Sequence, residues 1–244
     1  MVGIFSTNRS DALGLERARS YLKYAVGEVI LIVVGILIAI QLDGMQRDRA
    51  ERALETRYLQ ALMEDIRFDI ENSEGWFNRF EGKVAGLKAA KEYFHTGVDM
   101  EDPDALLTTI GKGGSGSRGR LVGDSPTFRD LISTGSLRYV QSQELKASIM
   151  DFYGYKDFVG IYANNLRTNY AGFTNSIRPY DPAGNLEKDP RDIEVALRKF
   201  KEPEFLSLVN QELTYAYSIN NVMSIHRQNA QDLVSEIAAY LGMQ

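Results

Sequence analysis

The sequence predicts an all-α protein, one N-terminal transmembrane helix followed by an extended helical-bundle domain. Three observations carry this. Residues 29–40 run twelve positions without a polar side chain, ten of them Val, Ile or Leu. Behind that run, apolar residues recur at steps of three and four over several long stretches, the period of an amphipathic helix. Proline and glycine fall between those stretches, where helices start and stop. The 244 residues suit one anchor and one domain of ordinary size.

Extending the apolar run to residues 25–42 gives about 27 Å of helix at roughly 1.5 Å per residue, enough for a hydrocarbon core of about 30 Å. Each large aliphatic residue favours insertion by roughly 0.3–0.6 kcal/mol, and Glu28 sits near the end, where its cost is small. Ile40, Gln41, Leu42 and Asp43 follow the run and offer no small-residue cleavage site, so the segment reads as a retained signal anchor. Residues 1–24 form a short N-terminal tail. Basic residues nearly balance across the anchor, with Arg9, Arg17, Arg19 and Lys23 before it and Arg47, Arg49, Arg52 and Arg57 after. The second set is interleaved with Asp43, Asp48, Glu51 and Glu55, which favours a cytoplasmic N-terminus and a periplasmic large domain in a bacterial inner membrane.

Within the anchor, Glu28, Ile32, Gly35 and Ala39 share one helical face. An ionisable group and a pair of small residues on one face suit packing against another membrane helix. The alternative is that Glu28 reaches the headgroups by itself.

The stretch Tyr24-Ala25-Val26-Gly27-Glu28, followed by Gly35-Ile36-Leu37-Ile38-Ala39-Ile40-Gln41, resembles the opening of a large family of uncharacterised bacterial single-pass membrane proteins. A looser likeness covers Pro126-Thr127-Phe128, residues 133–137, Leu145 and Tyr153. Where that family has an Asn-rich exit, this chain has Leu42-Asp43-Gly44-Met45. The resemblance implies the anchored architecture and carries no catalytic residues.

The soluble domain, residues 46–244, opens on one helical pattern from about 46 to 94, with Leu59, Leu62, Ile66, Ile70, Ser73, Phe77, Phe80, Val84 and Leu87 inward. Gly75, Gly82 and Gly86 argue against continuity, each costing about 1 kcal/mol relative to Ala. Packing within the chain is favoured over a coiled coil with another chain, because the seam is impure. Asp99, Glu101, Asp102 and Asp104 do not follow a calcium-loop spacing and read instead as capping of a short helix at about 103–110. Residues 111–123 hold six glycines with Lys112, Arg118 and Arg120 and read as a flexible Gly/Ser loop, since Lys112 precedes the glycines instead of following them as in a phosphate-cradling loop. Pro126 opens a short helix that Gly135 closes. Ser142 caps a longer helix whose inward face runs Leu145, Ile149, Phe152, Tyr155, Val159, Tyr162, Leu166, Tyr170 and Phe173. Aromatic residues dominate it, as core or as a stacking surface. Pro179, Pro182, Gly184 and Asn185 mark a loop, and Asp189-Pro190 begins a short helix to about Phe200. The last helix spans 203–241, with Leu206, Val209, Leu213, Ala216, Ile219 or Asn220, Met223, Ala230, Leu233 and Ile237 inward. Three long helices with short helical inserts make the bundle.

Composition limits the chemistry. With no cysteine there are no disulfides, thiolate metal sites or thiol nucleophiles. From residue 46 onward 24 basic residues face 29 acidic ones, which opposes a nucleic-acid footprint. His95 and His226 are the only histidines. Glu92 and His95 have the spacing of a di-iron helix pair, but Met223 stands where His226 would need its matching carboxylate. Neither a zinc-peptidase motif nor a serine-elbow motif occurs. No catalytic, cofactor-binding or metal site is therefore expected. The reading is a non-catalytic accessory or scaffold subunit that stabilises or links a larger membrane complex, such as a respiratory or photosynthetic one. It would contact the bilayer and other membrane subunits. An extracytoplasmic ligand-sensing module is the alternative, and an enzyme is disfavoured.

Overall fold

The computed structural model describes residues 8–97, 102–115, 122–165, 168–178 and 189–243. Helices account for all its regular structure, with no strand among the described residues. They are α1 (Asn8–Thr96), α2 (Pro103–Lys112), α3 (Pro126–Ser133), a 3-10 turn (Ser136–Tyr139), α4 (Gln143–Asn165), α5 (Tyr170–Ser176), α6 (Pro190–Lys199) and α7 (Pro203–Tyr240). The chain divides into two compact units, Met1–Glu55 and Thr56–Gln244.

In the first unit every described residue is helical, so helix starts at Asn8 within the segment expected as a tail, and no break follows Leu42. Gly44 costs the helix little, because helical residues on both sides keep its geometry in place. An 18-residue window here has mean hydropathy 2.6 and no residue buried by the chain. It is long and apolar enough to cross a membrane, and its full exposure separates it from the core helix of a soluble protein.

The second unit is built on the antiparallel pairing of α1 and α7. Residues of this unit buried on α1 are Leu59, Leu62, Met63, Ile66, Asp69, Ser73, Trp76, Lys83, Val84, Gly86, Leu87 and Ala90. Those on α7 fall at Phe205, Val209, Glu212, Ala216, Ile219, Met223, His226, Ala230, Leu233 and Ile237. Steps of four and three alternate through α7 without exception, the seam of a coiled coil. The inward face is wider than the expected one: Asp69 and Trp76 are buried beside Ile70 and Phe77, which pack partly buried against the core, while Phe205, Glu212 and His226 join the α7 stripe. An apolar reading passes over charged residues that the seam nonetheless buries.

Three clusters fill the unit in sequence along α1. Leu59, Leu62 and Ile66 pack with Leu145, Ile149, Phe152, Leu233 and Ile237, so α4 is the third helix there. Trp76, Val122, Val159, Ile219 and Met223 form the middle. Beyond them Leu87 and Ala90 meet Ile110, Tyr170, Phe200, Phe205 and Val209, and α2, α5 and α6 take the place of α4. Each fully buried Leu, Ile or Phe contributes about 1.5–3 kcal/mol.

The change of third helix corrects one expectation. The aromatic helix expected to run from Ser142 through Phe173 ends at Asn165, and α5 restarts at Tyr170. Leu166 lies outside the described residues. Thr168 and Asn169 favour non-helical local bonding, and the break lets the Tyr170 hydroxyl donate to the Ile110 carbonyl at 2.8 Å. Tyr153 is also buried on α4, and Tyr155 packs half-buried against the middle cluster.

The first part of the glycine-rich segment is packed structure. Residues through Lys112 belong to α2, and Gly113 is buried against Leu87 and Tyr170. A Cβ on Gly86 would lie 2.4 Å from the Thr109 carbonyl oxygen and 2.6 Å from the Gly113 nitrogen, so α1 and α2 touch through backbone. Arg118 and Arg120 lie outside the described residues, as do Asp99, Glu101 and residues 179–188. Ser142 caps α4 as expected, accepting from Leu145 at 3.1 Å; of the acidic residues expected to cap α2 it is Asp102 that accepts from Asp104 and Ala105 at 3.0 Å, and Asp189, at the expected start of α6, accepts from Arg191 at 2.9 Å.

Candidate functional site

Two polar layers interrupt the α1–α7 seam. Lys83 donates to the Glu212 carboxylate and, at 2.8 Å, to the Gly113 carbonyl. Burial pushes the Lys83 ammonium below its ordinary pKa, and the Glu212 charge and hydrogen bond oppose that fall. Fourteen residues away on each helix, Asp69 faces His226, with Nε2 4.0 Å from the Asp69 Oδ2. Trp76 and Ile219 meet midway. The two layers lie about 21 Å apart at roughly 1.5 Å per residue, and only one antiparallel alignment satisfies both.

Beside the second layer lies a cleft of about 640 Å³ between α3 and α4. Asp69 organises its floor. Oδ1 accepts from the Gly123 N–H at 3.1 Å, and Oδ2 accepts from Lys156, whose Nζ also donates to the Ser125 Oγ at 2.7 Å. Gly123 permits this approach, since a Cβ there would sit 2.8 Å from the carboxylate. Ser125 is the N-cap residue of α3 but makes no side-chain cap; Asp65 of α1 accepts the Thr127 N–H at 3.0 Å instead. The serine oxygen is thereby released to Lys156.

Tyr153 forms part of the wall, its ring stacked on Phe128 at 3.8 Å between centroids. It is 3% exposed, and its hydroxyl is sealed from solvent with no hydrogen bond of ordinary geometry. Burial, then the Asp65 and Asp69 charges, push the phenol pKa far up, and the nearby Ser125 hydroxyl offsets part of the rise. His226 stacks on Phe152 at 5.3 Å, and neither ring nitrogen has a hydrogen-bond partner. Burial holds the imidazole pKa down; Asp69 opposes this and Lys156 adds to it.

Ser125 and Lys156 are close enough to suggest a serine–lysine nucleophile. The lysine is held by the Asp69 carboxylate as well as by the serine oxygen. His95 and Glu92 are both exposed, and no group of three metal-ligating side chains occurs among the described residues.

Glu28, Ile32, Gly35 and Ala39 fall in one uninterrupted helix, all exposed. Nothing in the chain approaches a Cβ built on Gly35. The face expected to meet a partner is therefore left uncovered by the chain itself. The Tyr153, Lys156, Ser125 and His226 cluster was not singled out from sequence. Its only signal there was the strict three-four seam, which places Asp69 and His226 among core positions.

No protein-family model matches the chain, and no curated protein or solved structure does. Its class therefore rests on its own geometry: an all-helical protein with one long apolar N-terminal helix and a cleft in its bundle.

Proposed function

We propose that the chain is a non-catalytic, single-pass subunit of a bacterial inner membrane, with a cytoplasmic N-terminus and a periplasmic bundle, that joins a larger membrane complex through its anchor. The carrying observation is the exposed helix, where Val29, Leu31, Ile36 and Ile40 stand 55–76% open and the Glu28, Gly35 and Ala39 face is uncovered. Lipid covers the aliphatic residues; a carboxylate beside small residues suits a second helix.

The test is Glu28→Gln in the full chain, purified in mild detergent with mass identification of co-purifying chains. Insertion is expected to persist and the partner to be lost; unchanged co-purification removes the packing role of this face. Because the chain lacks cysteine, Ser207→Cys labelled with a membrane-impermeant maleimide reads the orientation directly. A periplasmic ligand-binding module is the second reading, favoured by the cleft between α3 and α4.

A further inference from the structure

We propose that Asp69 is a two-position switch: it holds Lys156 while His226 is neutral and holds His226 once that ring is protonated, which releases Lys156 and loosens the entry to α3 beside the cleft.

Three helices meet at this one carboxylate. Asp69 comes from α1, Lys156 from α4 and His226 from α7, and each is at most 4% exposed. The Asp69 Oδ2 accepts from Lys156 and lies 4.0 Å from the His226 Nε2, close enough for charge to act and too far for a hydrogen bond. While the ring is neutral, one carboxylate balances one ammonium. A proton on His226 sets two buried cations against that carboxylate, and a buried charge without its counter-ion is costly. Asp69 favours the proton and Lys156 opposes it. The rest of the surroundings add little charge: Phe152 stacks on the ring, Tyr153 stays a phenol, and Arg227 on the same helix turns to the exposed Glu74 of α1.

The two cations differ in their way out. Lys156 lines the cleft, and its flexible stem can carry the ammonium to water. His226 is 1% exposed and does not line the cleft. Protonation therefore displaces the lysine and keeps the histidine on Asp69. Lys156 also donates to the Ser125 Oγ at 2.7 Å, at the residue before α3. Its departure removes that tie and leaves the α3 entry on the bonds of Gly123 to Asp69 and Thr127 to Asp65. The cleft wall, which includes Ser125 and Lys156, changes with it.

The chain has no cysteine and one tryptophan, which gives two independent readouts. Ser133→Cys places a solvent-sensitive dye in the cleft wall, while Trp76, 2% exposed in the middle cluster of the bundle, reports its integrity. Both are followed on the full chain in nanodiscs from about pH 7 to 5. The dye emission is expected to shift at the midpoint of the His226 imidazole, read by NMR of labelled histidine against the exposed His95, while Trp76 emission holds. Lys156→Met, which removes the competing cation, is expected to raise that midpoint by about 1–2 pH units. His226→Phe, and separately the double variant Asp69→Asn with Lys156→Met, are expected to abolish the dye response. The double variant strands no charge, so it decides the matter should a single variant fail to fold. A silent dye in the otherwise unaltered chain, a dye response that persists in His226→Phe or the double variant, or an unmoved midpoint in Lys156→Met overturns the switch. So does a dye shift that comes only together with a Trp76 shift, since acid then unfolds the bundle as a whole.

Discussion

His226 is buried beside Asp69 with both ring nitrogens unsatisfied, and that single residue ties stability to pH. Its folded pKa lies below the ordinary 6.5. As pH falls from neutrality toward the folded value, the unfolded chain takes up a proton that the folded chain refuses. Stability therefore rises with pH across that window and drops on acidification. His226→Phe, which can keep the stacking on Phe152, is expected to flatten the dependence of melting temperature on pH between about 7 and 5; an unchanged slope places the sensitivity elsewhere. Gly86 makes a different demand. With the Thr109 carbonyl only 2.4 Å from a built Cβ, Gly86→Ala must push α1 from α2 and is expected to destabilise by about 1–3 kcal/mol in urea titration. At an open helix position the same change would stabilise. Sequence alone marked Gly86 as a helix weakness; the neighbour that makes it necessary comes from another element.

At the scale of elements, α1 and α7 are matched by two polar layers in an otherwise apolar seam. Lys83 and Glu212 are both within 3% of full burial, so removing one partner strands the other charge. Glu212→Leu alone is expected to cost about 3–5 kcal/mol, and Lys83→Met with Glu212→Leu to recover most of that, because an apolar pair of similar volume needs no desolvation. Denaturant curves of both variants decide it; a double variant as destabilised as Glu212→Leu alone would remove the stranded-charge account. Short helices rely on local chemistry. Ser142→Ala is expected to cost about 0.5–2 kcal/mol through loss of the cap on α4. That cap was legible because Ser142 lies just before a periodic run. The cap of α3 was not, since Asp65 supplies it from 62 residues away.

At the scale of the whole molecule, alkaline carbonate extraction is expected to leave the full chain in the membrane pellet, because no part of its most apolar window is buried by the chain. Release into the supernatant would remove the anchor reading. The sequence by itself determined the all-helical class, the apolar N-terminal helix, the cap at Ser142, the acidic starts of α2 and α6, and the long amphipathic runs, because each depends on residues within a few turns of one another. Only the tertiary structure decided that the aromatic run breaks before Tyr170, that Asp69, Lys83, Glu212 and His226 lie inside, and that Lys156, Ser125 and Tyr153 share a cleft. Those outcomes depend on partners distant in sequence. A buried charge looks like a solvated one until its counter-ion, on another helix, is in place.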